Sequence, residues 1–312
     1  MLTATQTATA QAIVNIFETN SVLGRYGDVT VAANDPGHMS FGRSQASLAS
    51  GNLGALVGQY CNNTGARFGR YLIEWLPRLQ AKDLSLDGDN RFQNFLRATA
   101  DDPVMRDTQD SFFEQGFWQP AEQAAAQLGI ASALGVGVVY DSFVQGGWNE
   151  VRNLTEQQSG SPQAMGENAW IAAYIAARRQ WLAQSVHPIV QATVYRMDAF
   201  ARLVDQNHWG LDLPLVVRGV EISTTSLNAT PPGCYDGPQP GARSLSIQTP
   251  LASGLDVRLL QLGLSVSGID MVADGVFGQH TSECLRTYQT GQGGAPATGV
   301  ADAALIARLG NF

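Results

Sequence analysis

Three carboxylates near the start of the chain offer the clearest chemistry. Glu18 follows Ile16 and Phe17 at the end of an apolar-periodic stretch, and Asp28 and Asp35 flank a short alternating segment. Hydrolysis of a glycosidic bond asks for such a set: one carboxyl among apolar neighbours to protonate the leaving oxygen, and one carboxylate to activate water. By spacing alone, either Asp28 or Asp35 can be the partner of Glu18. A histidine-centred mechanism has only His38, His187, His208 and His280 to draw on, and no GxSxG elbow, HExxH, phosphate-binding loop or dinucleotide fingerprint is present. Asp83, Asp87 and Asp89 make an incomplete calcium-loop pattern. Cys61, Cys234 and Cys284 lie in no metal spacing and cannot all pair within one chain. Neither a metal nor another cofactor is expected.

The elements around these carboxylates must place them. Thr7 to Phe17, with Ala12, Ile13, Ile16 and Phe17 on one side, reads as an amphipathic helix that stops near Asn20 and Ser21, so Glu18 falls on its last turn. From Tyr26 to Ser47, Val29 and Val31 alternate with polar residues. Asn34-Asp35-Pro36-Gly37 then supplies a turn before Met39-Ser40-Phe41-Gly42, which reads as a β-hairpin or small meander. Helical periodicity predicts helices over 53–61, 65–81, 90–99, 103–116, 118–129, 133–148, 166–186 and 188–208. Between Glu221 and Gly254 the period vanishes while Pro231, Pro232, Gly233, Pro238, Pro240 and Gly241 crowd together, which is linker composition. Three short helices follow: one through Val257, Leu259, Leu260 and Leu264, a second over Thr281 to Tyr288, and a third over Ala303 to Leu309. The expectation is a mainly α protein with one small hairpin: a first domain over 1–222, a Pro/Gly-rich linker over 223–245 and a separately folding three-helix bundle over 246–312.

A chain of 312 residues, 44% hydrophobic and 15% charged, can bury a sizeable core. Its net charge of -8 argues against nucleic acid, whose binding is built on Lys and Arg neutralising phosphates. No run reaches the roughly 20 apolar residues of a membrane span. The first residues lack both a basic and an apolar signal-peptide region, so none is expected in this sequence.

The order of these motifs resembles the family-46 chitosanases. The resemblance rests on Glu18 after the Ile-Val-Asn-Ile-Phe helix, Tyr26, the stretch Asn34 to Ser40, and Ser50-Gly51-Asn52-Leu53 leading into Leu56-Val57-Gly58-Gln59-Tyr60. It continues through Leu134 to Ser142, Ala177-Arg178-Arg179 and Arg196, and so covers most of residues 8–220. It implies a two-lobed, lysozyme-like helical fold acting by inversion. Glu18 would be the acid, Asp35 the base, and Ser40 the hydroxyl that holds the attacking water. Asp28 is then the runner-up base. The resemblance also makes Asp141, Arg178 and Arg196 a buried network supporting the acid, and Tyr26 and Asn52 substrate-binding positions. Two departures bear on the sugar: Asn52 and Ser185 stand where the family carries acidic, substrate-contacting residues.

Residues Val257 to Gln261, Ala273-Asp274-Gly275-Val276-Phe277-Gly278, Thr281, Leu285 to Gln289 and Thr298 to Asp302 resemble the three-helix peptidoglycan-binding module, which implies a bacterial cell wall as partner. Three functions follow as expectations. The first is an endo-β-1,4-glycosidase acting on chitosan; the second is a muramidase acting on peptidoglycan; the third is a wall-binding protein without catalysis. Each places the site of action outside the cell or in the periplasm.

Overall fold

The computed structural model describes residues 2–32, 36–43, 45–293 and 296–312. In chain order the principal elements are α1 (Ala4–Thr19), β1 (Val29–Thr30), β2 (Ser40–Phe41), β3 (Ala46–Ser47), α2 (Asn52–Cys61), α3 (Asn90–Thr99), α4 (Pro103–Phe113) and α5 (Gln119–Gln127). Then come α6 (Ala133–Gln145), α7 (Trp148–Ser159), α8 (Glu167–Ala183), α9 (Tyr195–Asp205), β4 (Leu215–Val217), β5 (Val220–Ile222), α10 (Leu255–Val266), α11 (Gln279–Gln292) and α12 (Ala303–Leu309). The fold is mainly α, as expected. The chain divides into two compact units, one of Met1–Gly24 with Ser111–Ala229 and the other of Arg25–Asp110 with Thr230–Phe312.

In the first unit α1 starts earlier than its apolar period suggests, because Thr3 and Gln6 form a capping box over its polar first turn. Asn20, in the left-handed region, ends it by donating its N–H to the Ile16 carbonyl at 3.0 Å. The helix packs on α6, where Gly137 faces Ala10: a Cβ added at Gly137 would sit 3.4 Å from that of Ala10. The run Ala133 to Ser142 is buried on every face, as a central helix must be. Ile13, Ile16, Phe17, Leu134, Val138, Val139, Trp170, Tyr174 and Phe200 belong to the core around it.

Two elements of this unit differ from the expectation. α7 carries only Trp148, Val151 and Thr155 as buried residues, too sparse a set to give a readable period. Strands β4 and β5 pair antiparallel around Arg218 and Gly219, both at positive φ (53° and 83°), as a two-residue hairpin turn requires. Three residues per strand leave almost no alternation to detect.

In the second unit β1, β2 and β3 form an antiparallel sheet in that order, with Thr30 opposite Ser40 and Ser40 opposite Ser47. The three C-terminal helices share this unit with residues 25–110. Polar contacts across the chain, invisible to composition, join them. Fully buried Asn94 of α3 donates to the Met271 carbonyl (2.7 Å) and Ser265 Oγ (3.0 Å), and accepts from the Ala273 N–H (3.0 Å). In the Pro/Gly-rich stretch the Tyr235 N–H donates to Asp101 at 2.8 Å. The three cysteines are unpaired thiols.

Helices α10 and α12 meet at Gly263, where an added Cβ would stand 2.3 Å from the Leu309 carbonyl oxygen. Alanine in a helix interior normally gains about 1 kcal/mol over glycine. Here the overlap should reverse the sign. Gly263→Ala is expected to lower stability by about 1–3 kcal/mol in urea denaturation; a gain would mean that α12 moves aside freely.

Candidate active site

The sequence-expected residues fall into one cluster in each unit. In the first unit Glu18 lies on the last turn of α1, its side chain 36% exposed. That turn is pinned from three sides. Asn15 Nδ2 donates to the Val22 carbonyl (3.0 Å), Tyr195 Oη donates to the Phe17 carbonyl (2.9 Å), and the Phe17 ring meets Tyr195 and Phe200 edge-on. The Tyr195 bond satisfies one of the carbonyls that a helix C-terminus leaves open.

Arg196, on α9 and 2% exposed, joins Glu18 to the core. Its Nη1 donates to Glu18 Oε1 at 2.8 Å, while Nε and Nη2 both donate to Asp141 Oδ1, at 2.9 and 2.6 Å. The guanidinium lies over the Phe17 ring at 5.0 Å. Burial alone disfavours its charge, yet the Asp141 and Glu18 carboxylates outweigh that and raise the Arg196 pKa further above its usual range. Asp141, fully buried on α6, turns its other oxygen toward Arg178 Nε at 3.9 Å. Arg178 is itself held by the Gly146 carbonyl (2.8 Å) and Gln145 Oε1 (3.0 Å). Gly146 and Gly147, at φ 90° and 86°, turn the chain at that carbonyl, where a side chain on Gly147 would run into Trp181. Glu18, Asp141, Arg178 and Arg196 are therefore brought together.

The second cluster is the hairpin. Ser40 of β2 is 7% exposed, and its Oγ donates to Gln45 Oε1 at 3.0 Å, while Gln45 Nε2 donates to the Gly42 carbonyl at 2.9 Å. Asp28, just before β1, accepts the Gly42 N–H on its backbone carbonyl (2.9 Å) and keeps its side chain 45% exposed. Partial burial pushes the Asp28 carboxyl above the usual range, against the pull of Arg25 and Arg97. Asn52 opens α2 in an exposed position. Asp35 lies outside the described residues, as does Asn34.

The structure places Tyr26 at the foot of the hairpin, before β1. It is 6% exposed and clusters with Ala100 and Cys234; its Oη donates to Asp110 Oδ1 at 2.7 Å, and Arg43 binds both groups. Burial first, and then the Asp110 carboxylate, raise the Tyr26 phenol pKa. Tyr26 thus anchors the base of the hairpin. Ser185 accepts from the His187 N–H at 3.2 Å in an irregular stretch of the first unit. Of the acidic residues weighed for calcium, Asp83 and Asp89 bind Arg78, and Asp87 binds the Met39 N–H and His38.

Several supporting residues carry no sequence signal. Gln109 of α4 donates to the Tyr26 carbonyl and accepts the Arg43 N–H, both at 3.0 Å, and a side chain on Gly42 (φ 81°) would overlap it. Its partners lie more than 60 residues away in sequence, so no local pattern points to it. The same holds for Asp110 and Tyr195.

Arg196→Met should destabilise the protein by about 3–5 kcal/mol, since it leaves the Asp141 carboxylate buried with only the distant Arg178. Adding Asp141→Asn removes that charge and should recover much of the loss in urea denaturation while hydrolysis stays impaired. A double variant no more stable than the single one would mean that Asp141 is not the source of the penalty.

Two family profiles match the chain: Glycosyl hydrolase family 46 over residues 12–215, and Putative peptidoglycan binding domain over residues 253–309. A chitosanase of Bacillus subtilis (strain 168) is 25% identical over 229 residues, spanning 68% of this chain and 81% of that protein. Among solved structures, a Gynuella sunshinyii family-46 chitosanase in complex with chitotetraose has a TM-score of 0.61 at 25% identity, covering 72% of this chain and 99% of that one. A mutant chitosanase of Bacillus subtilis MY002 complexed with 6 GlcN shares the fold, with a TM-score of 0.61 at 22% identity over 70% of this chain and 96% of that one. The helical, lysozyme-like architecture is thus shared, and with the first profile matching well over half of its length, this chain belongs to glycosyl hydrolase family 46.

Proposed function

We propose that this glycoside hydrolase is an inverting endo-β-1,4-glycosidase whose substrate is chitosan. The observation that carries the reading is the Glu18–Arg196–Asp141 ladder: a half-exposed carboxyl fixed by a guanidinium that is itself locked to a fully buried carboxylate. Such an arrangement holds Glu18 Oε1 in one position on a rigid helix end, which a proton donor to a leaving oxygen needs. Asp35 is the proposed base, and Ser40, tied to Gln45, the hydroxyl that positions the attacking water. Asp28 is the alternative base; its raised pKa is a less suitable feature in a group that must be ionised to accept a proton. Arg178 and Asp141 act through Arg196. The chitosanase relatives supply the substrate class, and a polymer of that kind places the action outside the cell.

One observation favours peptidoglycan as the second reading: the profile match over residues 253–309 beside a neutral side chain at the exposed Asn52. A cationic glucosamine gains from facing carboxylates, whereas an N-acetylated sugar does not need them.

Parallel digestion of soluble chitosan and of purified sacculi, read by mass spectrometry, separates the readings. Glucosamine oligomers are expected from the first and no muropeptides from the second; the reverse would move the assignment to a muramidase. Glu18→Gln and Asp35→Asn should each cut the rate by about 10²–10⁴, and Asp28→Asn by much less. A severe loss in Asp28→Asn with a mild one in Asp35→Asn would exchange the two aspartates.

A further inference from the structure

The C-terminal helices meet residues 25–110 through more than surface contact. Arg258 of α10 is 3% exposed, and its guanidinium lies between the end of α3 and the Pro/Gly-rich stretch. Nη1 donates to the Arg97 carbonyl at 2.8 Å, Nη2 donates to the Gly233 carbonyl, Nε pairs with Asp101 at 2.9 Å, and the plane lies over the Tyr235 ring at 5.1 Å. The hairpin begins on the same spot. A Cβ on Gly27 would stand 2.9 Å from Ala100 Cβ, 3.4 Å from the Arg97 carbonyl oxygen and 3.7 Å from Arg258 Nη1. Tyr26, the preceding residue, packs with Ala100 and with Cys234. The next residues, Asp28 to Thr30, close the sheet onto Gly42, Phe41 and Ser40. Asn94 and the terminal Phe312, whose ring meets Phe68, Tyr71 and Phe95, add two further pins.

From this chain of contacts we infer that the C-terminal helices are a built-in support of the catalytic hairpin, and that Arg258 is a positioning residue acting on the strand that pairs with Ser40 through Arg97, Asp101 and Gly27. The inference rests on the reading of the hairpin as the element that presents the base and its water. A freely swinging anchor has no use for a buried guanidinium that donates to two carbonyls and forms an ion pair with a carboxylate. Removing such contacts leaves buried acceptors unpaired, so the docked state is strongly preferred. Lysine cannot replace the group, because one ammonium on a flexible stem cannot reach carbonyls on two segments and the carboxylate together.

The test uses the full chain with Arg258→Lys, Arg258→Met and Arg258→Met combined with Asp101→Asn. The last removes the charge pair as a unit, so that a folded protein is obtained even where the single variants fail. Asn90→Ala, which removes an exposed hydrogen bond to Asp270 at the edge of the same contact, is the control. Hydrogen exchange and steady-state hydrolysis of chitosan oligomers are measured where circular dichroism shows each variant folded. In the Arg258 variants the Gly42 and Leu48 amides of the hairpin should exchange about tenfold faster or more, amides of α6 should keep their protection, and kcat should fall about tenfold or more with a smaller change in KM. Arg258→Lys should not rescue these effects, and Asn90→Ala should show none. Hairpin amides that keep wild-type protection, or equal acceleration in α6, would overturn the inference, the latter reducing Arg258 to a general stabiliser. Faster hairpin exchange in a protein whose wild type cleaves neither polymer would uphold the support and sink the hydrolytic reading alone.

Discussion

The buried guanidinium of Arg196 is the constraint on which the first unit depends. A charge can be held out of water only if opposite charge and hydrogen bonds replace its hydration. Asp141 supplies both from the centre of the most completely buried helix. That helix is otherwise rich in small and apolar residues, and among the described residues the carboxylate pairs with the arginines of α8 and α9. The packing of α6 against α1 then decides where Arg196 points, and its remaining amino group reaches the end of α1. Glu18 is therefore set by the core and not by its own helix, whose last turn would fray without Tyr195 and Asn15.

The hairpin obeys a second version of the same rule. Three strands of two residues each cannot hold a shape by themselves. Its base is instead clamped by polar side chains from distant segments: Asp110 and Arg43 on the Tyr26 hydroxyl, Gln109 on two backbone groups, Asp87 on the Met39 N–H. Glycines at positions 27 and 42 let the strand lie directly on α3 and α4, where any side chain would overlap Ala100 or Gln109. Both clusters thus rest on short, low-stability chain ends held by buried polar bonds, one at the core of each unit.

Legibility in the sequence follows from which signals are local. Helices with apolar residues on one face are readable, and so is the hairpin, because Val29, Val31 and the turn-forming residue types Asn34-Asp35-Pro36-Gly37 lie within ten residues of one another in sequence. Glu18 could be placed at a helix end for the same reason. The network of Asp141, Arg178 and Arg196 could not be derived from spacing, only suggested by likeness, since Asp141 is more than thirty residues from either arginine and meets them through tertiary packing. α7 and the β4–β5 pair escaped because few of their residues are buried in a regular order. The contacts of the Pro/Gly-rich stretch are equally non-local. Proline and glycine between 231 and 241 have linker composition, yet that stretch carries a buried Cys234 and backbone bonds to Asp101 and Arg258. Composition reports what a segment costs to order, not whether neighbours repay that cost.

The same distinction governs how far the C-terminal match reaches. The residues that make the module recognisable are engaged with one another: Gln261, 1% exposed, donates to Asp274 Oδ1, to the Val276 carbonyl and to Thr281 Oγ1, and accepts the Gly275 N–H. Gly275, at φ 79°, is required because a side chain there would strike the Tyr235 ring. Phe277 is wholly in the core. A pattern spent on its own turn identifies an architecture, and a ligand would have to be recognised by other side chains. Across α10 the same residues that complete the bundle, with Arg258 among them, also tie it to α3. In this chain the helices matched by the peptidoglycan-binding profile therefore also pack, through Arg258, on the segment from which the hairpin starts.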